Sequence, residues 1–289
     1  MMLTQHDAAT KAKVLAEALP YIRSYRGATV VIKVGGEALN EPGLASMVAD
    51  DLALLTLVGI RIVVVHGGGP QVTQAMNAAG IEPRFVHGLR VTDDAAIEVV
   101  RRVLVGSINP DLVGRLNSAG LRAVGLSGGD GPLFGVERVL GPDGEDLGHV
   151  GSVTSVDAMV LQDMLEGGYT PVIATVGPDA AGRPMNINAD PAAGAIAAAV
   201  GAAKLVYLTN VEGLYRDLGD AGSLVSEMKV NELDELLPTL SEGMRPKAAS
   251  AVDALRTGVG KVHILDGRVE HALLLEIFTD EGIGTQVTS

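Results

Sequence analysis

Short apolar runs rich in valine and isoleucine recur along the chain, and stretches of helical character separate them. The runs are "TVVIKV", "RIVVVHG", "LRAVGLSG", "TPVIATVG", "AKLVYLTN" and "KVHILDG". The intervening stretches predict helices, for example over residues 44–58, 93–105 and 157–165. Strands that are apolar on both sides are buried on both sides, and the helices between them provide the cover. The pattern therefore predicts an α/β fold with a mostly parallel central sheet.

Two segments interrupt this alternation and predict β-hairpins: "EPRFVHGLRVT" and "VERVLGPDGEDLGHVGSV", of which the second turns at Pro142–Asp146. Hairpins that project from such a sheet are suited to act as lids over a site. The glycine- and proline-containing stretch Val176–Arg183 predicts a boundary between two lobes. We therefore divide the chain into an N-terminal helix (1–26), an N-terminal lobe (27–178) and a C-terminal lobe (179–289).

The composition excludes several classes of protein. Hydrophobic residues make up 47% and charged residues 20% of the chain, which excludes disorder. The net charge of −13 argues against a nucleic-acid partner, so an anionic ligand would need a local concentration of positive charge. The chain has no cysteine, which excludes disulfides and thiol catalysis. The sequence also has no apolar signal core and no run of membrane-spanning length, so we expect a cytoplasmic protein without a membrane partner.

Glycines gather just beyond the predicted strands, at Gly35–Gly36, Gly67–Gly69 and Gly128–Gly129. Ligands of open α/β sheets bind outside the carboxyl ends of the strands, where glycine lets the backbone approach a phosphate. A single glycine pair is more often an ordinary turn. Three such groups favour a phosphate site, and Lys33 before the first of them needs a negative partner because a buried ammonium is costly.

Familiar nucleotide and hydrolase motifs do not account for these glycines. The sequence contains neither GxGxxG nor GxxxxGK[ST], which weakens a dinucleotide site and excludes a P-loop enzyme. "GLSGG" matches the nucleophile elbow of hydrolases, GxSxG, which requires a helix directly after the serine. The "GDGPLFG" that follows cannot continue as a helix, so a hydrolase is disfavoured.

Polar residues alternate in "MNINAD", where Asn186, Asn188 and Asp190 would point to the same side of an extended segment. Asp190 precedes Pro191, which predicts a helix opening with Asp190 as its N-cap. Each of these residues has an ordinary alternative, since asparagine forms loops and aspartate caps helices. Taken singly, the ordinary and functional interpretations are about equally good.

Two cations also stand out by their position. Arg90 follows the predicted hairpin turn in "HGLRVTD", and Lys247 follows Pro246 in the first turn of a predicted helix. A lysine in a first turn opposes the helix dipole, which indicates a use other than helix stability. The alternative is that both are solvated surface cations.

Six motifs in order, "VIKVGG", "VVVHGGGPQV", "GLRVTD", "MNINAD", "LTNVEGLY" and "GMRPKAAS", resemble the acetylglutamate kinases of the amino-acid-kinase family over nearly the whole chain. The resemblance implies a three-layer αβα sandwich, with the acetylglutamate site in the N-terminal lobe and the ATP site in the C-terminal lobe. It also implies transfer of the ATP γ-phosphoryl group to the γ-carboxylate of N-acetyl-L-glutamate, in arginine biosynthesis.

The resemblance assigns roles to individual residues. Lys33 and Lys247 would stabilise the transferring phosphoryl group, and Asp190 would orient both lysines. The substrate contacts would be Gly68, Gly69, Arg90 and Asn186. The nucleotide contacts would be Gly36, Thr209, Asn210, Gly213, Leu214 and Met244. No residue is assigned to a metal, because Mg²⁺ would be held mainly by the nucleotide phosphates, and Asn188 is expected only to brace its loop.

The chemistry agrees with this set of residues. A carboxylate acceptor has a pKa of about 4.3 and is ionised at neutral pH, so no general base is needed. What is needed is relief of repulsion between two anions and alignment of the reacting oxygens. Lysines and glycine amides can supply both.

The N-terminal segment carries apolar residues at helical spacing, which predicts an amphipathic helix over 8–25 with a kink at Pro20. They are Val14, Leu15, Ala18, Leu19, Ile22 and Tyr25. The helix could simply pack on its own subunit. Within the resemblance, such an extension marks the members that L-arginine inhibits, where it joins dimers into a hexamer. The resemblance places the arginine site at Tyr25, Lys204, Glu281 and Gly284.

Rival functions remain open at this point. A sister kinase on the same fold could phosphorylate glutamate, aspartate or carbamate. A catalytically idle arginine sensor is also possible, although the intact Lys33, Asp190 and Lys247 argue against it. The sequence does not say whether a PII-type regulator binds.

Overall fold

The computed structural model describes residues 5–36, 41–216, 220–279 and 282–289. Its strands are β1 Thr29–Val34, β2 Arg61–His66, β3 Phe85–Val86, β4 Leu89–Arg90, β5 Ala123–Ser127, β6 Phe134–Arg138, β7 Val150–Val156, β8 Thr170–Ala174, β9 Val176–Pro178, β10 Pro184–Ile187, β11 Lys204–Thr209, β12 Leu214–Tyr215, β13 Leu224–Val225, β14 Glu227–Lys229, β15 Lys261–Asp266 and β16 Thr285–Thr288.

Its α-helices are α1 Gln5–Tyr25, α2 Pro42–Leu57, α3 Gly69–Ala78, α4 Asp94–Val103, α5 Asn109–Ser118, α6 Met159–Glu166, α7 Ala189–Ala199, α8 Val230–Leu236, α9 Arg245–Arg256 and α10 Ala272–Phe278. A π-helical turn at Leu104–Ile108 joins α4 to α5, and 3-10 turns lie at Ala221–Ser223 and Leu237–Thr239. None of the described helices is long and apolar enough to cross a membrane.

The central sheet has the strand order β14-β16-β15-β11-β1-β2-β8-β5 among the described residues. Neighbouring strands run parallel throughout, except that β15 and β16 are antiparallel. Each apolar run singled out in the sequence contains one of these strands. The prediction of a mostly parallel central sheet in an α/β fold is therefore confirmed.

The two faces of the sheet bury different residues of the same strand. In β1, Val31 belongs to a core that α7 and α9 cover, whereas Val30 and Ile32 belong to a core that α2, α5 and α10 cover. This division follows from the alternation of side chains along a strand. Each buried valine or isoleucine contributes roughly 1.5–3 kcal/mol of transfer free energy, so both helix layers are held by their apolar faces. The result is the expected three-layer arrangement.

Both predicted hairpins are present. β3 and β4 pair antiparallel, and β6 pairs antiparallel with β7 across the connection that contains Pro142–Asp146. The strands β6, β7, β10 and β9 form a second sheet of their own. β10 runs parallel to β7 and antiparallel to β9, and it places Asn186 opposite Val150 and Val176.

The N-terminal helix extends over Gln5–Tyr25, which contains the predicted range 8–25, with Pro20 inside it. Its apolar residues are only partly covered by the chain: Val14 is 58%, Leu15 70% and Leu19 47% exposed. Tyr25, at the end of the helix, packs against the core on the α2, α5 and α10 face.

The predicted boundaries of the three helices between strands differ from the observed ones by one or two residues. The helix expected over 93–105 is α4, which ends at Val103 where the π-helical turn begins. Asp93 precedes this helix as its N-cap and accepts the Ala96 N–H at 2.8 Å. The helix expected from residue 157 begins at Met159, because the Asp157 carboxylate turns back to accept the Met159 N–H at 3.0 Å. Side chains of this kind compete with the helix backbone at its start.

Candidate active site

Two lysines and one aspartate that are distant in the sequence meet at the end of β1. Lys33 Nζ lies 2.8 Å from Asp190 Oδ1, and Lys247 Nζ lies 2.9 Å from Asp190 Oδ2. Lys33 lies on the same face of β1 as Val31, which is the face that α7 covers. Asp190 is in the first turn of α7, and Lys247 is in the first turn of α9.

Burial and the neighbouring charges of this cluster shift the pKa values of Asp190 and Lys247. Burial by itself would raise the pKa of the Asp190 carboxyl, but the ammonium groups of Lys33 and Lys247 outweigh burial and lower the pKa to about 2. Burial lowers the pKa of Lys247 to about 8, and repulsion from Lys33 acts in the same direction while Asp190 opposes it. Asp190 is therefore ionised at neutral pH, and Lys247 is largely protonated.

The sequence predicted Asp190 as the N-cap of its helix, and this prediction is wrong. The N-cap is Asn188, whose side-chain Oδ1 accepts the Asp190 N–H at 3.0 Å. Asn188 thus caps the helix, and the Asp190 carboxylate is available to pair with the two lysines. A negative charge in the first turn also interacts favourably with the helix dipole.

A network of buried hydroxyl groups contacts the backbone of Asp190. Tyr207 Oη lies 2.7 Å from Ser250 Oγ, and Ser250 Oγ donates to the Asp190 carbonyl at 2.8 Å. Lys247 Nζ lies 5.1 Å from the centroid of the Tyr207 ring, within the range of a cation–π contact. The sequence analysis missed Tyr207 and Ser250. The one signal in the sequence is that Tyr207 brings a hydroxyl group into the mainly apolar strand "KLVYLT".

A cavity of about 240 Å³ opens beside Lys33, and all four residues predicted to contact substrate line it: Gly68, Gly69, Arg90 and Asn186. Gly36, predicted to contact the nucleotide, lines it as well. The lining residues among the described parts of the chain include no carboxylate. The cavity therefore presents cations and amides, which suits an anionic ligand.

The glycines at this cavity are required by close packing. A Cβ at Gly68 would lie 2.3 Å from Ile108 Cδ1 and 2.7 Å from Leu104 Cδ2, and a Cβ at Gly36 would lie 2.9 Å from Pro70 Cδ. No side chain fits at such distances without displacing its neighbours. The backbone of both loops is thereby held close together and close to the cavity.

Arg90 is buried and fixes the loop that it faces. Its Nη2 donates to the Gly69 carbonyl at 2.9 Å and to Thr73 Oγ1 at 2.8 Å, and its guanidinium lies 4.6 Å from the centroid of the Phe85 ring. Burial lowers the pKa of Arg90, although an arginine keeps its charge at any pH of interest. Arg90 therefore braces the start of α3 as well as facing the cavity.

Thr92 connects Arg90 to Asn186, and the sequence analysis missed it. The Thr92 hydroxyl donates to the Arg90 carbonyl at 2.8 Å and accepts from Asn186 Nδ2 at 3.2 Å. Thr92 is fully buried. With Nδ2 engaged in this way, the Asn186 side chain has its carbonyl oxygen available as an acceptor for a ligand N–H.

Five of the six residues predicted to hold the nucleotide do not line this cavity. Thr209 ends β11, the strand next to β1, and Asn210 follows it in an exposed position. Gly213 and Leu214 pack against Thr285, whose Oγ1 accepts the Leu214 N–H at 2.8 Å. Met244 is the N-cap residue of α9, the helix that carries Lys247. The cavity beside Lys33 does not extend to these five residues, whose role stays a prediction.

Both carboxylate oxygens of Asp190 are paired with lysine ammonium groups. That Mg²⁺ is held mainly by the nucleotide phosphates stays a prediction. Within the described ranges, His87, Asp143 and Glu145 form a group whose ligand atoms lie within 4.8 Å of one another. These residues lie in the connections of the two hairpins, outside the lysine cluster.

The residues predicted to bind arginine are partly brought together. Tyr25, Lys204 and Gly284 line a cavity of about 330 Å³ that also includes Glu276. Lys204 Nζ lies 3.2 Å from Glu276 Oε1 and 5.3 Å from the centroid of the Tyr25 ring. Glu281, the fourth predicted residue, lies outside the described residues.

Comparison with known proteins agrees with this geometry. Residues 28–266 match the model of the amino acid kinase family. The chain is 51% identical over 288 residues to an acetylglutamate kinase of Symbiobacterium thermophilum, covering 97% of this chain and 98% of that one. It is 50% identical over 284 residues to an acetylglutamate kinase of Acidothermus cellulolyticus, covering 96% of each.

Solved structures extend the comparison to the fold. An N-acetylglutamate synthase from Neisseria gonorrhoeae, complexed with coenzyme A and N-acetyl-glutamate, matches with a TM-score of 0.86 at 30% identity. The match covers 96% of this chain and 63% of the synthase, so this chain spans less than two thirds of that protein. The same synthase with coenzyme A and L-arginine matches with a TM-score of 0.82. The chain belongs to the amino acid kinase family, as an enzyme of the acetylglutamate kinase type.

Proposed function

We propose that the chain transfers the γ-phosphoryl group of ATP to the γ-carboxylate of N-acetyl-L-glutamate, as a step of arginine biosynthesis. The observation that carries the proposal is the Lys33–Asp190–Lys247 cluster beside a cavity lined by glycines, Arg90 and Asn186. The acetylglutamate kinases that are about half identical to the chain over nearly its full length support the choice of acceptor.

The acceptor needs no general base. A γ-carboxylate has a pKa of about 4.3 and is already the nucleophile at neutral pH. The barrier arises from repulsion between this carboxylate and the phosphates, and from the alignment that in-line transfer requires. The ammonium groups of Lys33 and Lys247 offset the negative charge that is shared in the transition state. Magnesium carried by the nucleotide would neutralise further phosphate charge.

Asp190 acts through the lysines. Each of its oxygens holds one ammonium group, so it fixes two cations at the position where charge develops. With a pKa of about 2 it stays ionised and does not accept a proton from either lysine. It also links the lobe that carries Lys33 to the lobe that carries Lys247. Preorganised charge of this kind needs no rearrangement during the reaction.

The two substrates would approach the cluster from opposite sides. On the acceptor side, Arg90 would face a carboxylate of the acceptor, and Gly68 and Gly69 would contact its reacting end. Asn186, at the start of the C-terminal lobe, would meet its acetamido group. In the C-terminal lobe the nucleotide would be held by Thr209, Asn210, Gly213, Leu214 and Met244, with Gly36 near the phosphates.

A coupled ADP-release assay tests the proposal directly. N-acetyl-L-glutamate, L-glutamate, L-aspartate and carbamate are offered in turn with ATP and Mg²⁺. We expect turnover with N-acetyl-L-glutamate at a kcat/KM at least about 100-fold above the others, because a site that hydrogen-bonds an amide rejects analogues that lack it. Preference for another acceptor would identify a sister kinase, and no turnover with any of them would favour an arginine sensor.

We further propose that L-arginine inhibits the enzyme and that α1 joins dimers into a hexamer. The exposed Val14, Leu15 and Leu19 of α1 support an intersubunit role, since scattered exposure is normal but a row on one helix indicates a contact. The cavity lined by Tyr25, Lys204 and Gly284 supports a ligand site at the base of this helix. A structural relative was solved with L-arginine, which is consistent with this idea.

Removal of residues 1–26 separates these regulatory proposals from catalysis. We expect the full-length chain to be hexameric and inhibited by L-arginine, and the shortened chain to be an active dimer with weakened inhibition. Light scattering gives the assembly, and an arginine titration of the ADP-release rate gives the inhibition. A full-length dimer that is indifferent to arginine would contradict both proposals while leaving the kinase activity untouched.

A further inference from the structure

A buried histidine lies directly before the glycines of the cavity, and the proposed chemistry does not use it. His66 ends β2 and is followed by Gly67, Gly68 and Gly69, all of which line the cavity. The His66 side chain is fully buried. It points to the face of the sheet that α5 covers, because it has the same parity along β2 as Val64. Its contacts are therefore with α5 and with its own loop.

Both ring nitrogens of His66 have a partner. Nδ1 lies 3.0 Å from the carbonyl oxygen of Gly67, and Nε2 lies 3.0 Å from Nδ2 of Asn109. Asn109, the first residue of α5, also donates from Nδ2 to the Val172 carbonyl at 2.9 Å. Its side chain fits there because position 125 is glycine, where a Cβ would lie 2.0 Å from Asn109 Oδ1.

These contacts fix the tautomer of the ring. A carbonyl can only accept a hydrogen bond, so the group of Asn109 that faces Val172 must be the amide nitrogen rather than its oxygen. The second hydrogen on that nitrogen points to His66 Nε2, which must therefore be the unprotonated acceptor. The proton of the neutral ring is then on Nδ1 and is donated to the Gly67 carbonyl. Burial lowers the pKa of His66 to about 4, so the ring stays neutral at physiological pH.

The fixed carbonyl determines where the next amide points. In a trans peptide the C=O of one residue and the N–H of the next lie on opposite sides of the bond, and no cis peptide is present in the described chain. With the Gly67 carbonyl held on the α5 side, the Gly68 N–H is directed to the opposite side, where Lys33 lies. Within the described residues, the Gly68 N–H forms no hydrogen bond of its own, and it belongs to the N-cap residue of α3.

We infer that His66, oriented by Asn109, is a positioning residue that aims the Gly68 amide N–H at the phosphoryl group during transfer. The inference rests on the proposed function. It adds a residue that orients the backbone of the glycines at 67–69. His66 itself does not touch substrate or move a proton. Its effect is expected in kcat, because an amide aimed at developing charge stabilises the transition state more than the bound substrates.

Two substitutions separate this role from simple packing. His66→Leu keeps a similar volume but removes the donor to Gly67. His66→Asn keeps a donor nitrogen where Nδ1 lies and gives up the contact to Asn109. We expect His66→Leu to lower kcat by about 10-fold to 100-fold with KM for N-acetyl-L-glutamate within about 3-fold, less than complete loss of a preorganised donor would cost. His66→Asn is expected to recover most of kcat.

Val64→Ala serves as the matched control. Val64 lies on the same strand and the same face, so its truncation loosens the same core without removing a hydrogen bond. We expect it to lower the urea midpoint while leaving kcat unchanged. If Val64→Ala lowers kcat as much as His66→Leu at equal loss of stability, or if His66→Leu and His66→Asn behave alike, the positioning role is refuted.

A measurement on the wild type does not depend on either variant folding. ¹⁵N NMR of histidine-labelled protein at pH 7 is expected to report His66 with Nδ1 protonated and Nε2 unprotonated, and without titration down to about pH 5. The opposite tautomer or a charged ring would overturn the inference. Failure of the proposed function is distinguishable, because wild-type protein would then release no ADP with N-acetyl-L-glutamate, whatever the state of His66.

Discussion

The protonation of Lys247 predicts how the activity depends on pH. Its pKa in the unliganded protein is about 8, because burial and Lys33 together outweigh the pairing with Asp190. Relative to the ordinary value of 10.5, this lowering of the pKa corresponds to roughly 3 kcal/mol. The protein thus keeps a cation at the site at a considerable cost, and that cation is lost just above neutral pH.

In the proposed role of Lys247 the protonated form is the active one, so kcat/KM is full well below pH 8 and falls as pH rises through about 8. With a pKa of about 8, roughly nine-tenths of Lys247 is protonated at pH 7 and a little under one-tenth at pH 9, so kcat/KM for ATP should fall about 10-fold between them. The pH profile of kcat should show the same decline, its alkaline limb, at higher pH, because bound phosphates raise the pKa of the ammonium group.

Two variants test the assignment of this limb. Lys247→Ala should lower kcat by about 10²–10³-fold and remove the limb, since the titrating group is gone. Lys247→Arg should keep its charge to high pH, so any residual activity should stay level through pH 9.5. Steady-state ADP release from pH 6 to 9.5 supplies the profiles. A flat wild-type profile, or a Lys247→Ala profile with the same limb, would refute this account of Lys247.

Three further substitutions probe the rest of the site. Lys33→Ala should lower kcat by about 10²–10³-fold with little change in the urea midpoint, and near wild-type turnover would remove Lys33 from the mechanism. Asp190→Asn should lower the free energy of unfolding by about 3–5 kcal/mol, because two buried ammonium groups lose their partner; an unchanged urea midpoint would contradict this. Arg90→Lys should raise KM for N-acetyl-L-glutamate with KM for ATP nearly constant, whereas equal effects on both would place Arg90 outside the acceptor pocket.

The layer architecture could be predicted from the sequence because it depends on local patterns. Continuous apolar strands such as β1 and β2 are recognised by their length and composition, and glycines such as those at 67–69 mark the ends of strands. The family motifs then singled out Lys33, Asp190 and Lys247, which the structure brings within ion-pair distance. Which residue caps α7 was not decidable, since "NINAD" offers both asparagine and aspartate and the exact first turn is set by tertiary contacts.

The supporting residues could not be found in this way. His66 and Asn109 are 43 positions apart, and Asn186 and Thr92 are 94 apart, so no periodicity connects them. In the sequence, Thr92 is an ordinary loop residue and Asn109 an ordinary helix start. Their importance arises only when folding buries their polar atoms and obliges each to find a partner. Helix and strand patterns carry no information about such pairs.

The overall charge of the chain gives the site a particular requirement. A protein of net charge −13 repels anionic substrates at long range, but at physiological salt this repulsion is screened beyond about 8 Å. Affinity for a nucleotide and a dicarboxylate therefore has to come from cations that are close to them and shielded from solvent. Lys33 and Lys247 against the single Asp190 leave one net positive charge at the cluster, and Arg90 adds another at the cavity. Because these groups are buried, salt weakens their attraction for an anionic ligand only a little. The site can therefore bind anions within a strongly acidic protein.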